Sequence, residues 1–248
     1  MQGYVPYVIH RKTNKRLIKS IFTAVFIIFL IVFLFVFLVS LKKQSVCFES
    51  QTFYFVYADK AKNEAPILAQ QDRVKSLGGS GVIYKKNNTN YLLINCYLIE
   101  DDVKDVKNRV STEFANSDTL KITVKAISKN VQKEVRESQG YYKFFNFKRE
   151  FFQFFLDKEM EYIKGNLSDG KFISWIISKR LELNSIKEEF IKDSKIESFM
   201  VINQFADVFV LHFDNLLNKF FESTKKQSLI CEFYCNLVLT NADMCDNL

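Results

Sequence analysis

Residues 53–60 read Phe-Tyr-Phe-Val-Tyr-Ala-Asp-Lys, and the interpretation of this short run decides the fold. An aromatic and β-branched run of this length is strand type, so a first strand is expected over 53–58. A helix follows from about Asn63 to Leu77, with Asn63 as its cap and Pro66 in the first turn, where a missing N–H costs nothing. Ile67, Val74 and Leu77 share one side of it. Gly78-Gly79-Ser80-Gly81 then ends the helix. Phosphate-cradling loops run from a strand into a helix N-terminus, whereas these glycines follow a helix and precede a strand, so a C-cap and tight turn is the reading. Residues 82–85 and 91–97 form a hairpin about Lys86-Asn87-Asn88-Thr89-Asn90. Glu100, Asp101 and Asp102 suit the positive end of a second helix, striped by Val103, Val106, Val110 and Phe114. The last strand alternates, with Lys121, Thr123 and Lys125 out and Ile122 and Val124 in. The order βαββαβ predicts a four-stranded sheet with two helices on one face.

Downstream, no glycine or proline occurs after Gly170, and apolar residues recur at helical spacing. Phe172, Ile176, Leu183, Ile186 and Phe190 form one stripe, and Ile202, Phe205, Phe209, Leu216 and Phe220 another. A further helix is expected from about Tyr142 to Lys164 and a shorter one after Lys226, giving an antiparallel bundle. Phe144, Phe145, Phe147, Phe151, Phe152, Phe154 and Phe155 occupy more than one helix face. That segment reads as a helix buried on two sides, between sheet and bundle, or as a membrane or partner surface.

Upstream, Ser20 to Leu41 is an uncharged stretch of 22 residues, in which 17 of the 19 residues from Ile21 to Val39 are Ile, Leu, Phe or Val. As a helix it spans about 33 Å, enough for a hydrocarbon core of about 30 Å. It ends in Ser-Leu-Lys-Lys rather than in a small-residue cleavage site, so it reads as an uncleaved anchor. Five basic residues before it (Arg11, Lys12, Lys15, Arg16, Lys19) outweigh Lys42 and Lys43 after it, which predicts a cytoplasmic N-terminus and an extracytoplasmic body. Those seven account for the net charge of +7; the remaining 28 basic residues balance 28 acidic ones. A body without net positive charge opposes a nucleic-acid role.

The segment from about Phe53 to Ala126 resembles a SPOR domain, the bacterial sporulation-related repeat, in its two half-repeats. Residues 53–60 with Ala61, Ala65 and Ala69 behind them resemble the first half, and Leu77-Gly78-Gly79 sits where that family has a leucine and glycine. Tyr91-Leu92-Leu93-Ile94-Asn95-Cys96-Tyr97, followed by acids and Val103, resembles the second half. The resemblance implies an α+β, ferredoxin- or RNP-like sheet that binds peptidoglycan glycan strands, without catalysis, at division or sporulation sites. It implies binding through the helix-free face, mapped here to Tyr54, Val56, Tyr91, Leu93, Lys121, Thr123 and Lys125. Val56 and Leu93 are apolar where that face would be open, so a second reading stands beside the first: a scaffold for another envelope or division protein, whose sheet is covered by its own C-terminal helices. The expected organisation is a basic tail over 1–19, a transmembrane helix over 20–41 in contact with the lipid bilayer, a SPOR-like domain over 48–128 and a helical domain over 130–248.

Chemistry-bearing clusters are scarce. Cys47, Cys96, Cys231, Cys235 and Cys245 are an odd number, and Cys231 and Cys235 lie one helical turn apart with no histidine nearby, so scattered thiols are expected. His212 falls on an apolar stripe and reads as a packed histidine. The pair Glu188-Glu189 reads as solvated surface, and Asn87-Asn88-Thr89 and Asn166-Leu167-Ser168 fit the glycosylation pattern. No cofactor, metal or catalytic residue is expected.

Overall fold

The computed structural model describes residues 25–33, 48–190 and 197–248. Two compact units divide the chain, Met1–Val46 and Cys47–Leu248. Of the first, only residues 25–33 are described; they form a helix, α1, whose apolar side chains are all exposed. The expected tail over 1–19 and the rest of the expected span over 20–41 lie outside the described residues. No helix among the described residues is long and apolar enough to cross a membrane.

The second unit begins with β1 (Gln51–Ala61), α2 (Ala65–Ser76), β2 (Val82–Lys86), β3 (Thr89–Tyr97), α3 (Glu100–Val110) and β4 (Asp118–Val124). The sheet order is β2-β3-β1-β4, antiparallel throughout. This is the βαββαβ order expected. The hairpin is tighter than anticipated: Asn87 and Asn88 both take positive φ (48° and 61°), so a two-residue turn replaces the five-residue one and both strands run longer. Asparagine tolerates that conformation, and such turns match the twist of their strands. The end of α2 is a Schellman motif, with Gly78 at φ 86°, its N–H on the Lys75 carbonyl and the Gly79 N–H on that of Val74. The cap at the other end is Glu64 rather than Asn63. Leu77, expected beside Ile67 and Val74, is the C-cap residue and exposed.

Five helices follow: α4 (Lys129–Glu137), α5 (Gln139–Ile163), α6 (Asp169–Phe190), α7 (Glu197–Phe220) and α8 (Lys226–Asp246). The first was not anticipated; Ser128 caps it by accepting from the Val131 N–H. The last is a full-length helix rather than a short one. Cross-helix contacts fix an up-and-down arrangement. Lys143 pairs with Glu189 across α5–α6, Arg180 with Asp214 across α6–α7, and Phe213 meets Phe233 across α7–α8. The ring closes where Phe155 stacks on Tyr234 across α5–α8, at 4.6 Å and 3° between planes.

Residues 48–128 and 130–248 thus share their main core, beside a smaller cluster under α2 and α3. α8 lies against β2, β3 and β4 on the side of the sheet away from α2 and α3, and against α5 and α7 on its other side. Phe53 of β1 meets Phe152 of α5 edge-on at 5.5 Å, and Phe152 also touches Phe209 and Tyr234. The phenylalanine-rich segment is therefore mostly buried from two sides, with Phe154 the exposed exception at 52%. A shared core predicts cooperative unfolding. In urea, residues 47–248 are expected to show one transition, coincident by far-ultraviolet circular dichroism and by fluorescence of Trp175, which stacks on Phe151. Phe152→Ala is expected to cost about 3–5 kcal/mol; two separated transitions would instead mean independent halves.

Candidate functional site

The expected binding face does not exist as one surface. Successive strand residues face opposite sides. Phe53, Phe55 and Tyr57 point into the core shared with the bundle, together with Leu93, Ile122 and Val124. Tyr54 and Val56 therefore lie on the α2–α3 side, as does Ala58, which packs with Ile67, Val74, Leu92 and Phe114. Tyr91 and Leu93 lie on the bundle side. Shifts in the β1–β3 register, between Val56 and Tyr57 and between Tyr57 and Asp59, break the simple alternation across the two strands. The candidates read from the sequence are thus divided between two faces. Val56 and Leu93 are both fully buried. The face opposite α2 and α3 is apolar and occupied by α5 and α8.

What remains of the candidate set is a small patch on the edge strand β4. Lys121 sits over the Tyr54 ring at 5.6 Å, and the Thr52 and Thr123 hydroxyls are 3.3 Å apart. Lys125 is drawn away by an ion pair with Asp246 of α8 at 2.9 Å. Lysines on an edge strand also discourage pairing with another sheet.

Other surface hollows are held by their own side chains. One of about 420 Å³ at the end of β1 is lined by Tyr57, Asp59, Lys60 and Ala115 to Asp118. There the Asp59 carboxylate accepts from Gln70, Asn116 and the Lys60 N–H. A larger one, about 870 Å³, lies where α5 turns into α6 and α7 into α8. Its Asp169 accepts from the Tyr162 hydroxyl and pairs with Lys226. Glu189 is taken by Lys143, and His212 shares a hydrogen bond with Thr240 at 3.1 Å while burial lowers its pKa. Among the described residues, no group of three or more His, Cys, Asp or Glu is placed to hold a metal.

The most perturbed carboxyl was not singled out in the sequence. Glu159 of α5 is 3% exposed and lies between β3 and α8. Its Oε1 accepts from Asn95 Nδ2 and from Cys231 Sγ, each at 3.1 Å. Burial pushes its carboxyl up to about 7, with those two hydrogen bonds pulling the other way. Burial likewise raises the thiols of Cys96, Cys231 and Cys235, which keeps them neutral and unreactive. The signal was present: Phe152, Phe155 and Glu159 share the buried stripe of α5, although the local run Asp-Lys-Glu-Met-Glu looks solvated. No substrate can reach so enclosed a group, and its chemistry is that of a polar tie across the sheet–bundle junction.

No family model matches this chain, and no curated protein matches it. Among solved structures, the solution structure of the peptidoglycan binding domain of the B. subtilis cell wall lytic enzyme CwlC matches, at 15% identity. The match covers 29% of this chain and 90% of that one, with a TM-score of 0.24.

The Glu159 environment makes a pH prediction. The unfolded chain holds this proton only below the ordinary value of 4.5, whereas the folded chain holds it up to about 7. Between those values the folded state binds more protons, so stability falls as pH rises through the window and levels off above it. The full effect is roughly 3 kcal/mol. Glu159→Gln keeps an oxygen acceptor for Asn95 and Cys231 and is expected to flatten that slope. Urea midpoints at pH 5 and pH 8 read the difference; an equally steep slope in the variant would remove Glu159 as its source.

Proposed function

We propose that this protein is a membrane-anchored, non-catalytic scaffold of the bacterial cell envelope, in which a SPOR-like sheet serves as an inner wall for a helical bundle. One observation carries the reading: α8 fills the face of the sheet opposite α2 and α3, the face through which the resemblance implies glycan binding. Tyr91 and Leu93 belong to that filled face. A polysaccharide strand would have to displace a helix with twelve buried residues, among them Phe233, Tyr234 and Leu237. The anchor, the outward orientation and a role at division or sporulation sites rest on the apolar stretch over 20–41, the basic residues before it and the resemblance. Partner-binding surface is available on the bundle, where Ile177 and Leu181 of α6 and Val208 and Leu211 of α7 are exposed.

A second reading, glycan binding retained at an altered position, is favoured by the exposed patch of Lys121 and Thr123 beside Tyr54. A pull-down of residues 47–248 on peptidoglycan sacculi, with and without stem peptides, separates the two. The scaffold reading expects no binding to either preparation, together with a discrete adduct when a photo-crosslinker replaces Leu211 in the full chain in native membranes. Binding that rises on denuded glycan and is lost in Tyr54→Ala/Lys121→Ala would establish the second reading in its place.

A further inference from the structure

The charge on the body is balanced overall but not locally. The wheel of α4 buries Val131 and Val135. Lys129, Lys133 and Arg136, spaced four and three apart, project on the opposite side and are all exposed. Only Glu137 shares that side among the acids, and Lys129 and Lys133 form no ion pair among the described residues. The helix is short and its solvent face is basic, although nothing in the fold requires it to be.

Its position in the chain says what such a face would meet. Phe48 is buried, packed on Tyr142 at 6.3 Å and on Phe145 at 5.5 Å, with the Arg136 guanidinium over its ring at 5.3 Å. The body is thus gripped at Phe48, against α4 itself. Six residues, 42–47, separate Phe48 from Leu41, the end of the apolar stretch. Even fully extended they reach at most about 25 Å. With the apolar stretch in a bilayer, that length bounds how far Phe48, and α4 packed against it, can stand from the headgroups. A tether this short keeps the local concentration of headgroups high, so a weak contact is sufficient.

We propose that the solvent face of α4, formed by Lys129, Lys133 and Arg136, is a docking surface for anionic phospholipid headgroups that seats the body on the membrane carrying its anchor. The proposal rests on the anchored reading above. Arg136 has a double task, clamping Phe48 while presenting its charge. Headgroup attraction of this kind amounts to roughly fivefold in affinity per basic residue and fades at high salt.

The test uses residues 47–248, a compact unit with its own core, and separates the face from the anchor. Co-sedimentation is measured with phosphatidylcholine vesicles, with and without phosphatidylglycerol, at low and high salt. Binding is expected only with phosphatidylglycerol, and Lys129→Gln/Lys133→Gln is expected to weaken it by roughly 25-fold. The control Lys171→Gln/Lys219→Gln removes the same charge from exposed positions on α6 and α7 and is expected to leave binding unchanged. Equal loss in both pairs, or no preference for anionic vesicles, would overturn the proposal. The anchor is read independently by alkaline extraction of the full chain from membranes. A chain that resists extraction while its body ignores anionic lipid defeats the docking face alone. A chain that washes off while its body binds such vesicles defeats the anchor and leaves the face standing.

Discussion

The structure depends on one helix that is buried over most of its circumference. α8 packs against three strands on one flank and against α5 and α7 on the other, and its buried residues run from Ser228 to Cys245, leaving only a narrow strip with Glu232, Asn236 and Asp243 toward solvent. A helix with so wide an apolar face needs cover on two flanks. The sheet and the bundle each lack a wall without it. The strand residues Phe53, Phe55, Ile122 and Val124 belong to the core that α8 completes, and so do the inner stripes of α5 and α7. Each half is incomplete until α8 is in place, so the two halves are one structure.

That constraint explains the polar chemistry at the junction. Glu159, Asn95 and Cys231 meet where α5, β3 and α8 converge, and each belongs to a different element. A buried polar group that finds its partners fixes the register of the elements around it, because a shifted packing would leave it unsatisfied. Lys75 of α2 with Glu232, and Lys125 just past β4 with Asp246, add ion pairs to α8 at its more exposed edges. Such pairs contribute little to stability by themselves. Their value lies in matching one end of the helix to one end of the sheet.

Element type and order could be read from the sequence because they depend on local periodicity. The alternation around Ile122 and the stripes of α6 and α7 were sufficient. Face assignment was harder, since it depends on pairing. In β1 every residue from Phe53 to Ala58 is apolar or aromatic, so alternation has no polar phase marker. Nothing in that run marks Phe53, Phe55 and Tyr57 as the residues facing the bundle, and the irregular β1–β3 register puts Tyr91 and Leu93 on the other side from Tyr54 and Val56. α4 escaped notice because its run Lys-Asn-Val-Gln-Lys-Glu-Val-Arg-Glu has two apolar residues, too few for a stripe. Glu159 was hidden by its neighbours, Asp157 and Glu161, which suggested a solvated segment.

The position of α8 in the chain has a consequence for how the protein is made. About a hundred residues separate Val124, which completes the sheet, from Lys226, which begins the helix that covers it. At roughly 5–20 residues per second, synthesis leaves the part of the sheet's apolar face that α8 covers open for about 5–20 s. Throughout that interval the part of the face that α8 covers has no permanent partner, and the nascent chain presents an adhesive surface to whatever surrounds it. A ribosome that stops before α8 therefore releases a chain whose sheet lacks that wall, a product prone to aggregate.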